Sequence, residues 1–500
     1  MSEPFDLLIV GGGVNGAGVA RDAAGRGLKV LLVEQSDLAS ATSSASTKLI
    51  HGGLRYLEQY EFRLVAEALA ERERLLKIAP HLIRPLRFVL PHDRLMRPAW
   101  MIRIGLFLYD HLGRRRSLPD SSGVKLPGSP YGAGLQARFK RGFVYSDCWG
   151  DDARLVVMNA RDAADRGGDI RPRTRLVEAR RQGGLWRARL DQGGTVSEVT
   201  ARAIVNAAGC WAGKLLTGEL GLSNHEPLTL VRGSHIVTRR LYEGEHALLL
   251  QNADGRIVFV IPYEGKFSLI GTTDVESHED PAHVRTDPAE VEYLCASVNR
   301  CLEPQITPAD VIWSYAGLRP LHGEGDNPSE VSRDYALVLH GEAGEAPVLS
   351  VFGGKITTHR ALGEHVMEKL RPFFPRMGGA WTETKPLPGG DIPGGDLAAF
   401  EAGLAIRAPF LPAGTVRRWA HAYGTRAERI LGGAQSLEGL GQDFGAGLTA
   451  AEVAYLQREE WAETAEDILW RRSKLGLHIS EGQAAALAAH LAHGPDRGRA

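Results

Sequence analysis

Cysteine is scarce: Cys148, Cys210, Cys295 and Cys301 are the only four in 500 residues, with no C-x-x-C pair and no zinc-ligand spacing. That excludes a disulfide scaffold and predicts reduced thiols in a cytosolic chain. Long apolar runs are missing as well. Nowhere do the roughly 18 consecutive apolar residues of a membrane-spanning helix occur. The start, MSEPFDLLIV, has neither the basic opening nor the extended apolar core of a signal peptide. Net charge is nearly absent, since 59 Lys+Arg against 60 Asp+Glu leave −1, which argues against a general nucleic-acid binder. No G-x-S-x-G elbow, H-E-x-x-H pair or Cys/His cluster appears, so neither a serine hydrolase nor a metal site is expected. No internal repeat is found.

Glycine, by contrast, is abundant, with 59 residues grouped at the ends of apolar runs where tight turns or close ligand approach need them. Asp6–Val10 and Leu28–Val33 read as strands buried on both faces, joined by a helix over 14–27 of small residues. An amphipathic helix is expected over 62–79 and another helix over 151–167. Strand-like pieces follow at 173–180, 185–191 and 203–206, and alternating or buried strands at 229–238, 256–262 and 267–272 predict a mostly antiparallel sheet inserted between parts of a nucleotide-binding domain. A strand at 348–352 precedes a helix at about 357–370, LPGGDIPGG at 387–395 reads as a linker, and the rest is Ala-rich and helical. The expected division is 1–85, 151–225 and 340–386 for the cofactor domain, 86–150 and 226–339 for the substrate domain, and 387–500 for a helical domain.

Gly11-x-Gly13-x-x-Gly16 follows a strand and opens a helix, and Glu34 ends the next strand. In such a unit the first Gly makes the turn, the second admits a pyrophosphate, the third packs helix on strand, and the acid accepts a ribose diol. The Ser/Thr-rich tract Ala39–Lys48, containing Ser43 and Ser44, lies beside it, and strand-to-glycine turns recur at Gly209 and Gly353-Gly354. Three dispersed segments suit an extended flavin better than a nicotinamide, so FAD is the expected cofactor.

Cations stand beside those turns: Arg55 with Tyr56 after Gly52-Gly53, Arg319 after Gly317, and Lys355 after Gly354. They point to an anionic substrate, phosphate or carboxylate. A single arginine in isolation reads more readily as a surface or interdomain salt-bridge partner, and three at such turns tilt the balance only modestly. His235 sits in a strand-like run and has the pKa range of a base for an alcohol. The stretch 84–116 carries eight Arg against two Asp, interleaved with Trp100, Met101, Ile104 and Phe107. It reads about equally as a membrane-surface segment or as a solvated charged face over core residues, with nucleic-acid binding a weaker third option.

These stretches closely resemble the aerobic, FAD-dependent glycerol-3-phosphate dehydrogenases of bacteria. The likeness rests on GGGVNGAGVARDAAGRGL, LIHGGLRYLEQYEFRLV, RPAWMIRIGLFLYDHLG, RGSHIV, YAGLRPL and LSVFGGKITTHR, and covers nearly the whole chain. It implies an α/β fold with an α+β insert: a Rossmann-like FAD domain of the glutathione-reductase/D-amino-acid-oxidase type, an antiparallel substrate domain and a C-terminal helical domain. It implies oxidation of sn-glycerol 3-phosphate to dihydroxyacetone phosphate, with electrons passing through FAD to a membrane quinone. The enzyme would lie peripherally on the cytoplasmic membrane surface, and a homodimer is left open. By position, Arg55, Tyr56, Arg319, Arg333 and Lys355 are implied to contact substrate, with His235, Arg319 and Lys355 catalytic. Gly11, Gly13, Gly16, Glu34, Ser43, Ser44, Gly209 and Gly354 are implied to hold the flavin. Cys210 and His359 depart from the family's usual Pro and Tyr. An oxygen-using glycerol-3-phosphate oxidase, a related flavin amine oxidase and a non-catalytic flavin sensor are the alternatives.

Overall fold

The computed structural model describes residues 3–93, 97–113, 117–223, 228–323, 334–341 and 344–493. Two sheets organise the chain. The first runs in the order Ala336–His340, Val348–Phe352, Thr195–Asn206, Phe5–Val10, Val30–Val33, Asp169–Arg171, and its last five strands are parallel. Its strands are continuous apolar runs because both faces are covered. Leu7 and Ile9 face the helices Val14–Gly25, Asp152–Asp165 and His359–Leu370, while Leu8 and Val10 face the hairpin Thr174–Gln182/Leu185–Gln192. Each such side chain contributes about 1.5–3 kcal/mol of burial.

The second sheet holds ten strands and is antiparallel except where Ala247–Gln251 runs parallel to Ile83–His92. The composition of 84–116 did not reveal the strand Ile83–His92. Arg84 and Arg87 lie in it, Arg84 over the Trp149 ring at 4.2 Å and Arg87 donating to the Pro119 carbonyl at 3.0 Å. These two arginines therefore serve internal packing, and only the following helix, Ala99–Leu112, presents an apolar face to solvent. Arg94 and residues 114–116 lie outside the described residues.

Paired residues of this sheet point to the same face. Tyr315, His235, Gly271, Phe259 and Leu249 therefore form a transverse row across four neighbouring strands and the edge strand Trp313–His322. The helices Phe62–Ile78 and Ala99–Leu112 cover the same face through Val65, Leu69, Leu106 and Tyr109.

The C-terminal part has its own core of Trp419, Tyr423, Leu456 and Ile468. Its helices begin where side chains cap them, as at Asp396, Thr449 and Ser480. The expected linker is not free chain: Leu387 donates to the Ile78 carbonyl at 2.8 Å, and Gly389 and Gly424 pack backbone to backbone. Its glycines serve close approach rather than flexibility. Arg472 donates two bonds of 2.7 Å to Asp37, and Arg154 pairs with Glu460, both fully buried, so the helical part is clamped onto the loop after Glu34 and onto helix Asp152–Asp165.

Candidate functional site

The cradle at the first sheet is built by close backbone packing. A methyl added at Gly16 would lie 1.9 Å from the Gly11 carbonyl oxygen, and one at Gly11 would lie 2.4 Å from the Ala207 carbonyl oxygen. Gly11 also holds φ +117°, where side chains are strained. Gly13 caps the helix, whose Val14 N–H donates to Ser43 Oγ at 3.0 Å. Asn15 donates to the Gly353 carbonyl at 3.0 Å, joining the fingerprint helix to the turn that carries Gly354. Glu34 accepts the Gly12 N–H at 2.7 Å and the Ser36 N–H at 2.8 Å. Burial raises its carboxyl pKa, and those two N–H bonds oppose the rise. At Gly209, φ +57°, an added methyl would meet nothing within 4 Å, so the turn faces open space.

These residues suit a dinucleotide. The helix N-terminus is directed at the Ser43 hydroxyl, and Glu34 keeps unused acceptor positions for a diol. Gly16→Ala is therefore expected to abolish stoichiometric flavin content, read from the visible spectrum of purified protein. A wild-type flavin ratio would show that the close helix–strand contact is dispensable.

A cavity of about 470 Å³ adjoins the cradle. It brings together Ser43, Arg55, Tyr56, His235, Arg319, Gly354 and Lys355. Gly11, Gly13, Gly16, Glu34 and Gly209 form the cradle instead. Ser44 turns its hydroxyl to the Ala41 carbonyl at 3.3 Å and lines a second cavity with Cys210. Arg333 lies outside the described residues.

Gly53, at φ +79°, starts the short helix Leu54–Gln59 that presents Arg55 and Tyr56. The Lys355 ammonium lies 3.9 Å from the Tyr56 ring centroid, a cation–π contact that fixes both side chains. Arg319 is paired with Asp274 and donates to Thr272 Oγ1 at 2.8 Å. Gly233 makes room for it, since a methyl there would lie 2.3 Å from Arg319 Nη2.

His235 is 1% exposed, bonded through Nε2 to Thr47 Oγ1 at 2.9 Å and stacked on Tyr315 at 4.8 Å. Its ring lies against Gly271, where a methyl would sit 2.1 Å from Cδ2. Nδ1 finds no hydrogen-bond partner among the described residues. Burial, reinforced by the Arg319 and Lys48 charges, holds its pKa well below 6.5, so the imidazole is neutral at neutral pH. The unfolded chain binds that proton more readily. Destabilisation from this group therefore starts as pH falls below about 6.5 and grows until the folded-state pKa is reached.

Several residues here were not singled out from sequence. Thr47, Thr272 and Asp274 orient His235 and Arg319. Lys48, buried at φ +59°, donates to Asp152 at 2.8 and 2.9 Å and to the Ser44 carbonyl at 3.0 Å, bracing the 42–48 tract. The dense Ser/Thr tract was the available signal for Thr47, whereas nothing in sequence joins Lys48 to a carboxylate 104 positions away. Of the two departures, Cys210 is a thiol whose pKa burial pushes up to about 11. His359 packs on Gly18 and hydrogen-bonds the Ile356 carbonyl at 2.7 Å through Nδ1.

Residues 6–360 match the family described as FAD dependent oxidoreductase, and 380–492 match the C-terminal domain of alpha-glycerophosphate oxidase. The chain is 53% identical to a glycerol-3-phosphate dehydrogenase of Pseudomonas aeruginosa, over 98% of this chain and 96% of that protein. It is 50% identical to D-erythritol 1-phosphate dehydrogenase of Brucella abortus, over 97% of this chain and 98% of that one. The structure of glycerol-3-phosphate dehydrogenase from Bacillus halodurans complexed with FAD superposes with a TM-score of 0.75 at 25% identity, covering 98% of this chain and 94% of that one.

Proposed function

Because the chain belongs to the glycerol-3-phosphate dehydrogenase family of FAD-dependent oxidoreductases, we propose that it oxidises sn-glycerol 3-phosphate to dihydroxyacetone phosphate and passes the electrons to a membrane quinone. One observation carries this reading: three cations, Arg55, Arg319 and Lys355, converge with a neutral, buried histidine in one cavity beside the dinucleotide cradle.

The phosphate is held by the forks of Arg55 and Arg319 and the point charge of Lys355. Tyr56, stacked under Lys355, closes that end. Neutral His235 accepts the C2 hydroxyl proton, and Thr47 with Tyr315 holds its ring in plane. The Gly11–Gly16 turn, Glu34, Ser43, Gly209 and Gly354 would hold FAD, which when bound would supply the two-electron hydride-accepting chemistry. The exposed apolar side chains of helix Ala99–Leu112, Trp100 at 63%, Ile104 at 52% and Phe107 at 53%, support peripheral attachment to the cytoplasmic membrane surface. No helix among the described residues is long and apolar enough to cross a membrane.

The deciding experiment is anaerobic. Adding sn-glycerol 3-phosphate to the purified yellow protein is expected to bleach the visible flavin band, and glycerol is not. Faster bleaching by D-erythritol 1-phosphate would transfer the substrate assignment to the four-carbon ester, and no bleaching by either would sink the dehydrogenase reading. Mixing the reduced protein with a short-tailed quinone or with oxygen then separates a dehydrogenase from an oxidase, the alternative named by the match of its C-terminal region.

The pH dependence tests His235. Since a base must be unprotonated to act, kcat/KM is expected to stay level from pH 8 down through 6.5 and to fall only below the ordinary histidine range. His235→Asn should lower kcat by roughly 10²–10⁴-fold, the usual range for general-base catalysis. A wild-type rate and pH profile in that variant would remove it as the base.

A further inference from the structure

His235 is enclosed more tightly than a base that meets its substrate directly needs to be. It belongs to the strand Leu228–Arg239, and its register partners on two neighbouring strands are Tyr315 and Gly271. Tyr315 stacks on the ring at 4.8 Å with 14° between the planes, and its own hydroxyl donates to the Ser46 carbonyl at 2.8 Å. Gly271 lets the ring lie so close that a methyl there would sit 2.1 Å from Cδ2. The residue is 1% exposed, and Nδ1 is buried with no hydrogen-bond partner among the described residues. The plane of the imidazole is thus fixed by its flanks, whatever stands on Nε2.

What stands there is the hydroxyl of Thr47, at 2.9 Å. Thr47 is half-buried where His235 is buried, and it lines the same cavity as Arg55, Arg319 and Lys355. A hydroxyl has one donor and two acceptor positions. With its proton donated to the lone pair of a neutral ring, both acceptor positions remain for an alcohol entering from the cavity. Burial keeps His235 neutral, as such an acceptor must be. A substrate hydroxyl brought in on the three cations therefore meets Thr47 Oγ1 before it meets the imidazole nitrogen.

We propose that Thr47 is a further catalytic residue, whose hydroxyl relays the C2 hydroxyl proton of the substrate to His235 Nε2. This rests on the reading of His235 as the base in glycerol 3-phosphate oxidation. The substrate O–H bond breaks as its proton passes to Thr47 Oγ1, and Thr47's own proton passes to Nε2. The freed O–H pair becomes the second bond of the C2 carbonyl, and the C2–H pair leaves to FAD, the oxidant of this family. Threonine ends neutral and His235 ends as imidazolium. Once the ketone has left, the proton returns through the same hydroxyl to water in the cavity. The relay uses the tautomer that carries hydrogen on Nδ1 and the lone pair on Nε2.

The test follows anaerobic bleaching of the FAD-loaded, full-length protein by sn-glycerol 3-phosphate, after the flavin content of each variant has been checked. Thr47→Val keeps the branched shape without the hydroxyl, and is expected to slow the limiting bleaching rate by about 10²-fold or more. The half-saturating substrate concentration should stay within about twofold, because the cations that bind the phosphate are untouched. Thr47→Ser keeps the hydroxyl and should restore the rate to within about fivefold of wild type. Thr47→Val/His235→Asn should be no more than about twofold slower than the slower single variant, since groups that move one proton fail as a unit. In mixtures of light and heavy water the wild-type rate should fall along a bowed curve, which a relay gives because both transferred protons are in flight together.

A Thr47→Val rate within about threefold of wild type would overturn the relay, being far short of the usual loss of proton transfer. So would a serine variant as slow as the valine one, or losses that multiply in the double variant. A straight isotope curve in the wild-type protein would overturn it too, leaving Thr47 as an orienting contact. Should valine cost flavin content, the serine variant and the wild-type curve decide. Bleaching at the wild-type rate in His235→Asn is a different result: it removes the base, and the relay with it.

Discussion

Arg319→Ala is expected to lower kcat/KM for sn-glycerol 3-phosphate by about two to three orders of magnitude. Removing one partner of a desolvated, charge-assisted contact costs about 2–5 kcal/mol, and each 1.4 kcal/mol is a factor of ten. Two features of this site favour the upper half of that range. Arg319 is fixed before any anion arrives, by Asp274 and by Thr272 Oγ1 at 2.8 Å, so little side-chain freedom remains to be lost on binding. Its loss also leaves Asp274 facing the incoming phosphate uncompensated. The double variant Arg319→Ala/Asp274→Asn should therefore recover part of the loss, roughly tenfold, by removing the repulsion without restoring the clamp. Arg319→Lys should fall between, because an ammonium supplies the charge but not the planar fork. The split between the parameters is informative as well. If the phosphate only anchors the substrate, KM alone rises; if the anchor also aligns C2, kcat falls with it. A kcat/KM within threefold of wild type would remove Arg319 from the clamp.

The second large effect concerns the union of the helical C-terminal part with the cofactor-binding sheet. Arg154 and Glu460 are both 0% exposed and paired, and Arg154 also donates to the Ala422 carbonyl at 2.8 Å. Arg154→Met leaves Glu460 charged and buried, and is expected to destabilise the protein by about 3–5 kcal/mol. Replacing both members, as Arg154→Met/Glu460→Leu, should restore most of that, since the penalty comes from the stranded carboxylate rather than from the loss of attraction. Urea unfolding followed by tryptophan fluorescence reads both, with Trp419, Trp461 and Trp470 reporting on the C-terminal part. A single variant within about 0.5 kcal/mol of wild type, the range of ordinary surface changes, would show that the pair is not the clamp it resembles.

How much of this was legible in the residues differs from element to element. The fingerprint was, because its requirement is local: a strand, three glycines that a side chain would block, and an acid at the next strand's end all lie within 34 positions. The buried parallel strands and the capped C-terminal helices were legible for the same reason, as apolar runs and periodicities written in consecutive residues. Ile83–His92 was not. Its arginines made it look like a charged surface, whereas in the sheet Arg84 finds the Trp149 face and Arg87 the Pro119 carbonyl, both supplied by residues more than 30 positions away. The 387–395 stretch misled in the opposite sense, since glycine marks a flexible linker and a close backbone contact alike, and only the packed neighbour tells them apart.

By itself the sequence determined the fold class, the dinucleotide cradle and the family, because each rests on contacts between near neighbours or on long motifs held in order. Only the tertiary structure decided that Arg55, Arg319, Lys355 and His235 face one cavity, and that Asp274 and Thr47 stand on two of them. The placing of His235 is a consequence of strand register: pairing Tyr315, His235, Gly271, Phe259 and Leu249 across the sheet puts them on one face. Register is set by long-range pairing, and a slip of one residue would have turned every one of these side chains to the other side.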